Sequence, residues 1–345
     1  MAAADLCPRD DEEAVFSSSE DRIRASQAIV AVVGPSIVSR DTSSSLGGLW
    51  FRPTWVRSAA ESLFSVLFPS DCRICSEPLL NISRLPVCLD CVARIEPVRG
   101  KICSICGERV LSSYADMDSE GVRRCPVCRR IDRPFSRAVA YGGYEGGLRE
   151  LIHLLKYNGV RPAANVLGRM LAEAIADLEP SFDEAGLFDQ GSIAVIPVPL
   201  YKTKRRQRGF NQAELIAKAA LKAYPARERM QLVTDLLLRT RDTHSQIGLT
   251  SHQRRANLRG AFAVARAAEV TGRQVLLVDD VYTTGTTATE CARVLRRAGA
   301  RQVWVATVAR TLKLASNYAE FRPDEGLGVG EAEEVEASIA TAAGG

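Results

Sequence analysis

Long apolar stretches are missing from this chain of 345 residues: no run approaches the ~18 residues that a membrane-spanning helix needs. The apolar run Ala28 to Val33 is cut by Gly34 and Pro35, so no membrane insertion is expected. The start lacks the positive charge and apolar core of a secretory signal and carries an acidic patch at Asp10 to Glu13, which predicts a cytoplasmic protein. Histidine is scarce, with only His153, His244 and His252, and no metal site is built from these three. His153 falls on the apolar face of a helical pattern and reads as a core residue. Aromatic residues are only 6%, which argues against a large base-stacking surface. With 25 glycines and 15 prolines against 46% hydrophobic residues, the chain is neither collagen-like nor wholly disordered.

The length suits two folded units with tails, and the charge divides the chain unevenly. Formal net charge is +4, yet residues 131–313 carry 28 basic and 17 acidic groups while residues 314–345 carry 1 and 7. Residues 1–54 are Ser-rich, show no sustained period and read as a disordered tail; residues 314–345 read as a disordered acidic tail. Over 55–69 the apolar residues Val56, Ala59, Ala60, Leu63, Phe64, Leu67 and Phe68 recur at helical spacing until Pro69, predicting an amphipathic lead helix. Residues 133–313 alternate β-rich and helical runs, the pattern of a parallel sheet with crossover helices. Strands are predicted at Arg137 to Tyr144, Ile193 to Pro199, Gln274 to Asp279 and Gln302 to Ala309. Helices are predicted at Gly147 to Tyr157, Pro162 to Leu178, Gln212 to Tyr224 and Thr286 to Gly299. The fold class is α/β, an open parallel sheet flanked by helices.

Ahead of that sheet, residues 70–132 hold eight of the ten cysteines as four Cys-x-x-Cys pairs: Cys72/Cys75, Cys88/Cys91, Cys103/Cys106 and Cys125/Cys128. A two-residue spacer lets one tight turn aim two thiolates at an ion, and a second turn completes a tetrahedron. Eight sulfurs therefore fit two closed, structural Zn²⁺ sites in a small double zinc ribbon. Redox motifs are the alternative, but no pair opens a helix within the βαβ pattern. Sequential pairing is the simpler arrangement, and a crossed one would use the same ligands. Cys7 and Cys291 read as plain thiols.

The most informative stretch is Val275-Leu-Leu-Val-Asp279-Asp280-Val-Tyr282-Thr283-Thr284-Gly285-Thr286-Thr287. A buried strand ends in two acids, and a Thr/Gly turn opens directly into a helix, at the sheet edge where ligands of open α/β folds bind. Free backbone N–H groups, hydroxyls and the helix dipole suit a phosphomonoester, whereas the carboxylates suit neutral sugar hydroxyls. The pattern resembles the phosphoribosyl pyrophosphate (PRPP) loop of type I phosphoribosyltransferases, except that Tyr282 replaces the usual aliphatic residue. By that resemblance Asp279 and Asp280 would bind ribose, and Thr283, Thr284, Gly285, Thr286 and Thr287 the 5′-phosphate. A basic loop with Lys202, Arg205, Arg206, Arg208 and Gly209 follows another strand, where type I enzymes hold pyrophosphate; a solvated face or a nucleic-acid contact remains open. The polar stretch Arg239 to Phe262 corresponds in position to the mobile loop of those enzymes, or is a plain surface connection.

Leu151-Ile-His-Leu-Leu-Lys156-Tyr157, Arg208-Gly-Phe-Asn-Gln212 and Arg254-Arg-Ala-Asn257, together with the cysteine pairs and the PRPP loop, resemble the ComF family, including its GntX-like members. The resemblance covers roughly residues 55 to 313. It implies a double zinc ribbon joined to a phosphoribosyltransferase-like domain at 133–313, and PRPP as ligand with Mg²⁺ bridging its diphosphate and ribose hydroxyls. It further implies a role in natural transformation, with single-stranded DNA and competence or DNA-processing proteins as partners. Transfer of ribose 5-phosphate to a nitrogen acceptor such as a nucleobase is the alternative, and no motif names an acceptor or a catalytic residue.

Overall fold

A computed structural model describes residues 70–79, 84–110, 122–184, 192–242 and 257–312, all within one compact unit. The predicted lead helix and both predicted tails lie outside the described residues, as do His244, His252, Arg254 and Arg255.

The elements follow the predicted alternation. Two five-residue helices, α1 (Leu89–Ala93) and α2 (Pro126–Arg130), belong to the cysteine-rich part. Then come β1 (Arg137–Gly143), α3 (Gly146–Lys156), α4 (Ala163–Ala176), α5 (Glu179–Glu184), β2 (Ile193–Pro197), α6 (Lys202–Arg208) and α7 (Gln212–Ala223). The chain continues through β3 (Met230–Leu232), β4 (Leu237–Arg239), β5 (Phe262–Val264), β6 (Gln274–Tyr282), α8 (Thr286–Arg297) and β7 (Gln302–Arg310). Five strands form one parallel sheet in the order β1-β7-β6-β2-β3, and β4 pairs antiparallel with β5 in a separate ribbon.

Two departures from the sequence expectation matter for the site. The basic segment 202–208 is a helix rather than a loop, with Gly209 at φ +77° as its left-handed cap. Strand β6 also runs beyond Asp279, through Asp280 to Tyr282, because its backbone keeps pairing with β7 up to Tyr282 opposite Arg310.

Central strands buried on both faces explain the continuous apolar runs of β2, β6 and β7. Leu276 and Val278 pack into one core with α3, α4 and α7, whereas Val275 and Leu277 pack into a second core with α8 and the β4–β5 ribbon. Past the acidic pair the sense inverts, since Val281 joins the first core and Tyr282 the second. The cysteine-rich part covers the outer edge of β1: Ala138 N donates to Ile105 O (2.7 Å), and Val98 N donates to Tyr141 O (2.6 Å). An edge strand that would otherwise present unpaired backbone is thereby closed.

Helices α4 and α7 touch through Gly168. A Cβ there would stand 2.8 Å from Ala220 N and 2.9 Å from the Ala219 carbonyl carbon, so the absent side chain sets the helix separation. Gly168→Ala gains about 1 kcal/mol of helix propensity but overpacks the contact by about 1–3 kcal/mol. The expected net result is a lower midpoint in thermal denaturation; an unchanged or raised midpoint contradicts this packing.

Candidate functional site

The carboxyl end of β6 brings two acids together in a poorly solvated place. Asp280 is buried and Asp279 half-buried, and the Asp279 side chain accepts a hydrogen bond from Asp280 N (2.9 Å). From the end of α3, Lys156 reaches over and forms an ion pair with Asp280. Burial pushes the Asp280 carboxyl up, but the Lys156 ammonium outweighs it and leaves the group below its ordinary value. Burial and the Asp280 charge hold Asp279 well above the usual carboxylate range. Lys156 itself is raised: burial opposes its charge, and Asp280 more than compensates. One acid is thus paired with an ammonium, and its neighbour is harder to ionise.

Beyond the acids the chain turns into α8. Gly285 caps this helix at φ +74°, a left-handed conformation that β-branched threonine resists, while Thr284 and Thr286 hydroxyls lie 2.7 Å apart. The first N–H groups of this twelve-residue helix and the hydroxyls of Thr284 and Thr286 therefore share the helix N-terminus, with Thr283 and Thr287 flanking them in sequence, an arrangement suited to an anion. Tyr282 lies on the second-core side, its ring facing Arg310 and its hydroxyl against Gly285.

The basic residues stand next door on α6, where Lys202, Arg205 and Arg206 are exposed. Arg205 pairs with Asp235 (3.3 Å). Arg208, half-buried, donates to Gln212 Oε1 (2.5 Å) and sits 5.7 Å from the centroid of Tyr157, a ring that is 67% exposed. Gly209 faces Arg161, whose guanidinium lies 5.2 Å from the Phe210 ring. His153 is not a core residue: it is half-buried, hydrogen-bonds Tyr144 Oη through Nε2 (3.0 Å) and meets Tyr157 edge-on. Between α6 and the β4–β5 ribbon opens a cleft of about 380 Å³ bordered by Pro197, Tyr201, Asn211, Leu238 and Arg239. A larger cleft of about 790 Å³ lies at the amino ends of β1 and β7, beside Arg137 and Gln302, away from the acids.

The cysteines gather as Cys72, Cys75, Cys88 and Cys91 in one group and Cys103, Cys106, Cys125 and Cys128 in the other, so the grouping is sequential. Within each group all Sγ atoms lie within 4.8 Å of one another. A tetrahedron with metal–sulfur bonds of about 2.3 Å has edges of about 3.8 Å, and the Cys75–Cys88 and Cys106–Cys125 Sγ separations are both 3.7 Å. Both groups are built alike. The first pair sits on a turn closed by an isolated antiparallel bridge, and the second opens a short helix with Cys88 or Cys125 as N-cap. Ile74 N and Cys88 N point at Cys72 Sγ (3.5 and 3.3 Å), which suits a thiolate. The residues fit a four-sulfur metal ion in each group.

Lys156 was legible in the sequence as the end of an amphipathic helix, but nothing local gave it a partner. Two outcomes follow from the geometry. Lys156→Met strands the buried Asp280 charge and is expected to lower stability by about 3–5 kcal/mol, most of it recovered in Lys156→Met/Asp280→Asn. Chemical denaturation checks this, and equal losses in single and double variants contradict the pairing. Cys75 is exposed whereas all four cysteines of the second group are buried, so a chelator should release metal in two phases, the faster one removed by Cys75→Ser. A single phase contradicts the difference in access.

Residues 228–320 match the phosphoribosyl transferase domain family, a span that includes the acidic strand and its turn. The DNA utilization protein YhgH of Escherichia coli O6:H1 is 32% identical over 244 residues, covering 71% of this chain and 98% of that protein. Competence protein F of Haemophilus influenzae is 30% identical over 232 residues (67% and 93%), and competence protein ComFC of Bacillus subtilis 25% over 213 (62% and 79%). A likeness that extends along nearly the whole of the Escherichia coli protein is more than a shared domain, and the chain belongs to the ComF family of phosphoribosyltransferase-fold proteins.

Proposed function

We propose that this protein binds PRPP at the carboxyl end of β6 and acts on single-stranded DNA in natural transformation. The observation that carries the reading is the continuous sequence of acid pair, left-handed turn and helix N-terminus at one strand end. Asp279 and Asp280 accept hydrogen bonds from the ribose hydroxyls, and Thr283 to Thr287 enclose the 5′-phosphate. Lys156 keeps the two acids from repelling one another and holds Asp280 in place. Mg²⁺, when bound with the ligand, supplies charge neutralisation for the diphosphate; Asp279 is the carboxylate that Lys156 does not engage. Zn²⁺ is the ion proposed for both cysteine groups, since all-thiolate tetrahedra suit it and leave no open position.

The names of the relatives support the DNA role: one is a DNA utilization protein and two are competence proteins. Exposed Lys202, Lys204, Arg205 and Arg206 on α6, with Tyr157 exposed beside Arg208, offer a cationic track with one stacking ring. The cleft bordered by Pro197 and Arg239 favours a second reading, transfer of the phosphoribosyl group to a nitrogen acceptor. In that reaction the acceptor nitrogen forms the bond to the anomeric carbon as pyrophosphate leaves.

Calorimetry with PRPP and Mg²⁺ tests the first reading. Asp279→Asn is expected to weaken binding about tenfold to a hundredfold, the worth of a hydrogen bond to a charged group. Because Asp279 is held above the ordinary carboxylate range, affinity should rise as pH rises through its titration, and this dependence should vanish in Asp279→Asn. Absence of binding to the unaltered chain overturns the reading. Neutralising the four exposed cations of α6 should reduce the salt slope of single-stranded DNA binding by up to about 3; an unchanged slope removes α6 from the track. Pyrophosphate release with a panel of bases decides for or against transfer.

A further inference from the structure

Arg310, at the end of β7, is 2% exposed, and its side-chain hydrogen bonds go to the first turn of the second cysteine group. One guanidinium nitrogen, Nη1, donates to the carbonyl of Cys106, itself a member of that group, and Nη2 donates to Glu108 Oε2 at 2.8 Å. The same guanidinium stands 5.2 Å from the centroid of the Tyr282 ring. Tyr282 is 5% exposed, and its hydroxyl has no hydrogen-bond partner among the described residues. That hydroxyl abuts the backbone of Gly285 so closely that a Cβ there would overlap it. The backbones are joined as well, since Thr311 N donates to Tyr282 O at 3.0 Å.

A second arm runs in parallel. Arg133, five residues past Cys128, donates through Nη1 to Thr289 Oγ1 at 3.0 Å, and Thr289 N donates to Gly285 O at 2.8 Å. Two arginines therefore link the second cysteine group to the cap and first turn of α8, the segment read above as the phosphate cradle. Among the described residues the first cysteine group shows no such link. Its residues Ile74 and Ile95 meet Gly147 at the start of α3, on the other core.

We propose that Arg310 is a positioning residue through which the second cysteine group holds the phosphate loop in its binding geometry, so that metal at that group and a phosphomonoester at Thr283–Thr287 strengthen one another. The proposal rests on the reading of that loop as a phosphate cradle. Its physical basis is the cost of moving a buried guanidinium. With metal bound, the Cys106 carbonyl is fixed by the ligand geometry and Arg310 has its two acceptors. Without metal, the turn at Cys106 loosens, Arg310 must seek other acceptors, and the cation on which the Tyr282 ring rests shifts with it. Tyr282 then no longer supports Gly285 from below.

Coupling of this kind is reciprocal. With the full chain loaded with Zn²⁺, saturating ribose 5-phosphate should slow chelator-driven release from the second group by about tenfold, within the usual range of such couplings. Release from the first group, assigned with Cys75→Ser, should not change. Arg310→Met should abolish the protection while ribose 5-phosphate still binds more weakly, and Arg310→Lys should restore part of it. Calorimetry on the unaltered chain separates the two possible failures. Binding of ribose 5-phosphate with equal release rates in its presence and absence overturns the coupling alone. No binding overturns the cradle reading and the coupling with it. Because the deciding measurement uses the unaltered chain, misfolding of an Arg310 variant does not shield the proposal.

Discussion

Two adjacent carboxylates at the end of a buried strand repel one another and resist desolvation, so their coexistence depends on the cation that Lys156 brings from the end of α3. That pairing makes the acids unequal: Asp280 is committed to the ammonium, and burial beside the Asp280 charge holds Asp279 above the ordinary carboxylate range. It also ties the end of α3 to the central strand, next to the exposed Tyr157 that caps the helix and meets His153 edge-on. Several features that look separate in the sequence are thus consequences of one buried ion pair.

The cysteine-rich part is more than an appendage. It caps the outer edge of β1 by backbone hydrogen bonds, contributes cysteines to both cores, and supplies the acceptors of a buried arginine on β7. Cys72, Cys88 and Cys91 pack on the first core and all four cysteines of the second group on the other, so the two groups are tied to opposite faces of the sheet. The threonine-glycine turn belongs to the face shared with the second group, which is why Tyr282, larger than the residue expected at its position, has Arg310 and Gly285 as neighbours.

Much of the fold could be read directly from residues 133–313. The apolar runs of β2, β6 and β7 mark strands buried on both faces, and the intervening amphipathic patterns mark crossover helices. The basic segment 202–208 was harder, because it has no apolar face: none of its residues is buried, and its helix shows only as charge in the sequence. The end of β6 was missed for a related reason. Two consecutive aspartates have poor strand propensity, and pairing with β7 overrides that preference as far as Tyr282. His153 was misjudged since its apolar neighbours Ile152 and Leu154 are buried while its own ring turns toward Tyr144 and Tyr157.

What the sequence determined alone is chemistry that depends on short spacing: thiolates with two residues between them, adjacent acids, and a threonine-glycine turn opening a helix. These need only local backbone geometry, which neighbouring residues impose. Tertiary structure decided the sequential grouping of the cysteines, the Lys156–Asp280 pair, the inversion of β6 and the reach of Arg310 to Cys106 and Glu108, 204 and 202 residues away. Contacts of that separation exist only after the sheet has brought β1, β7 and the cysteine turns side by side, and no local pattern records which buried cation will meet which buried acceptor.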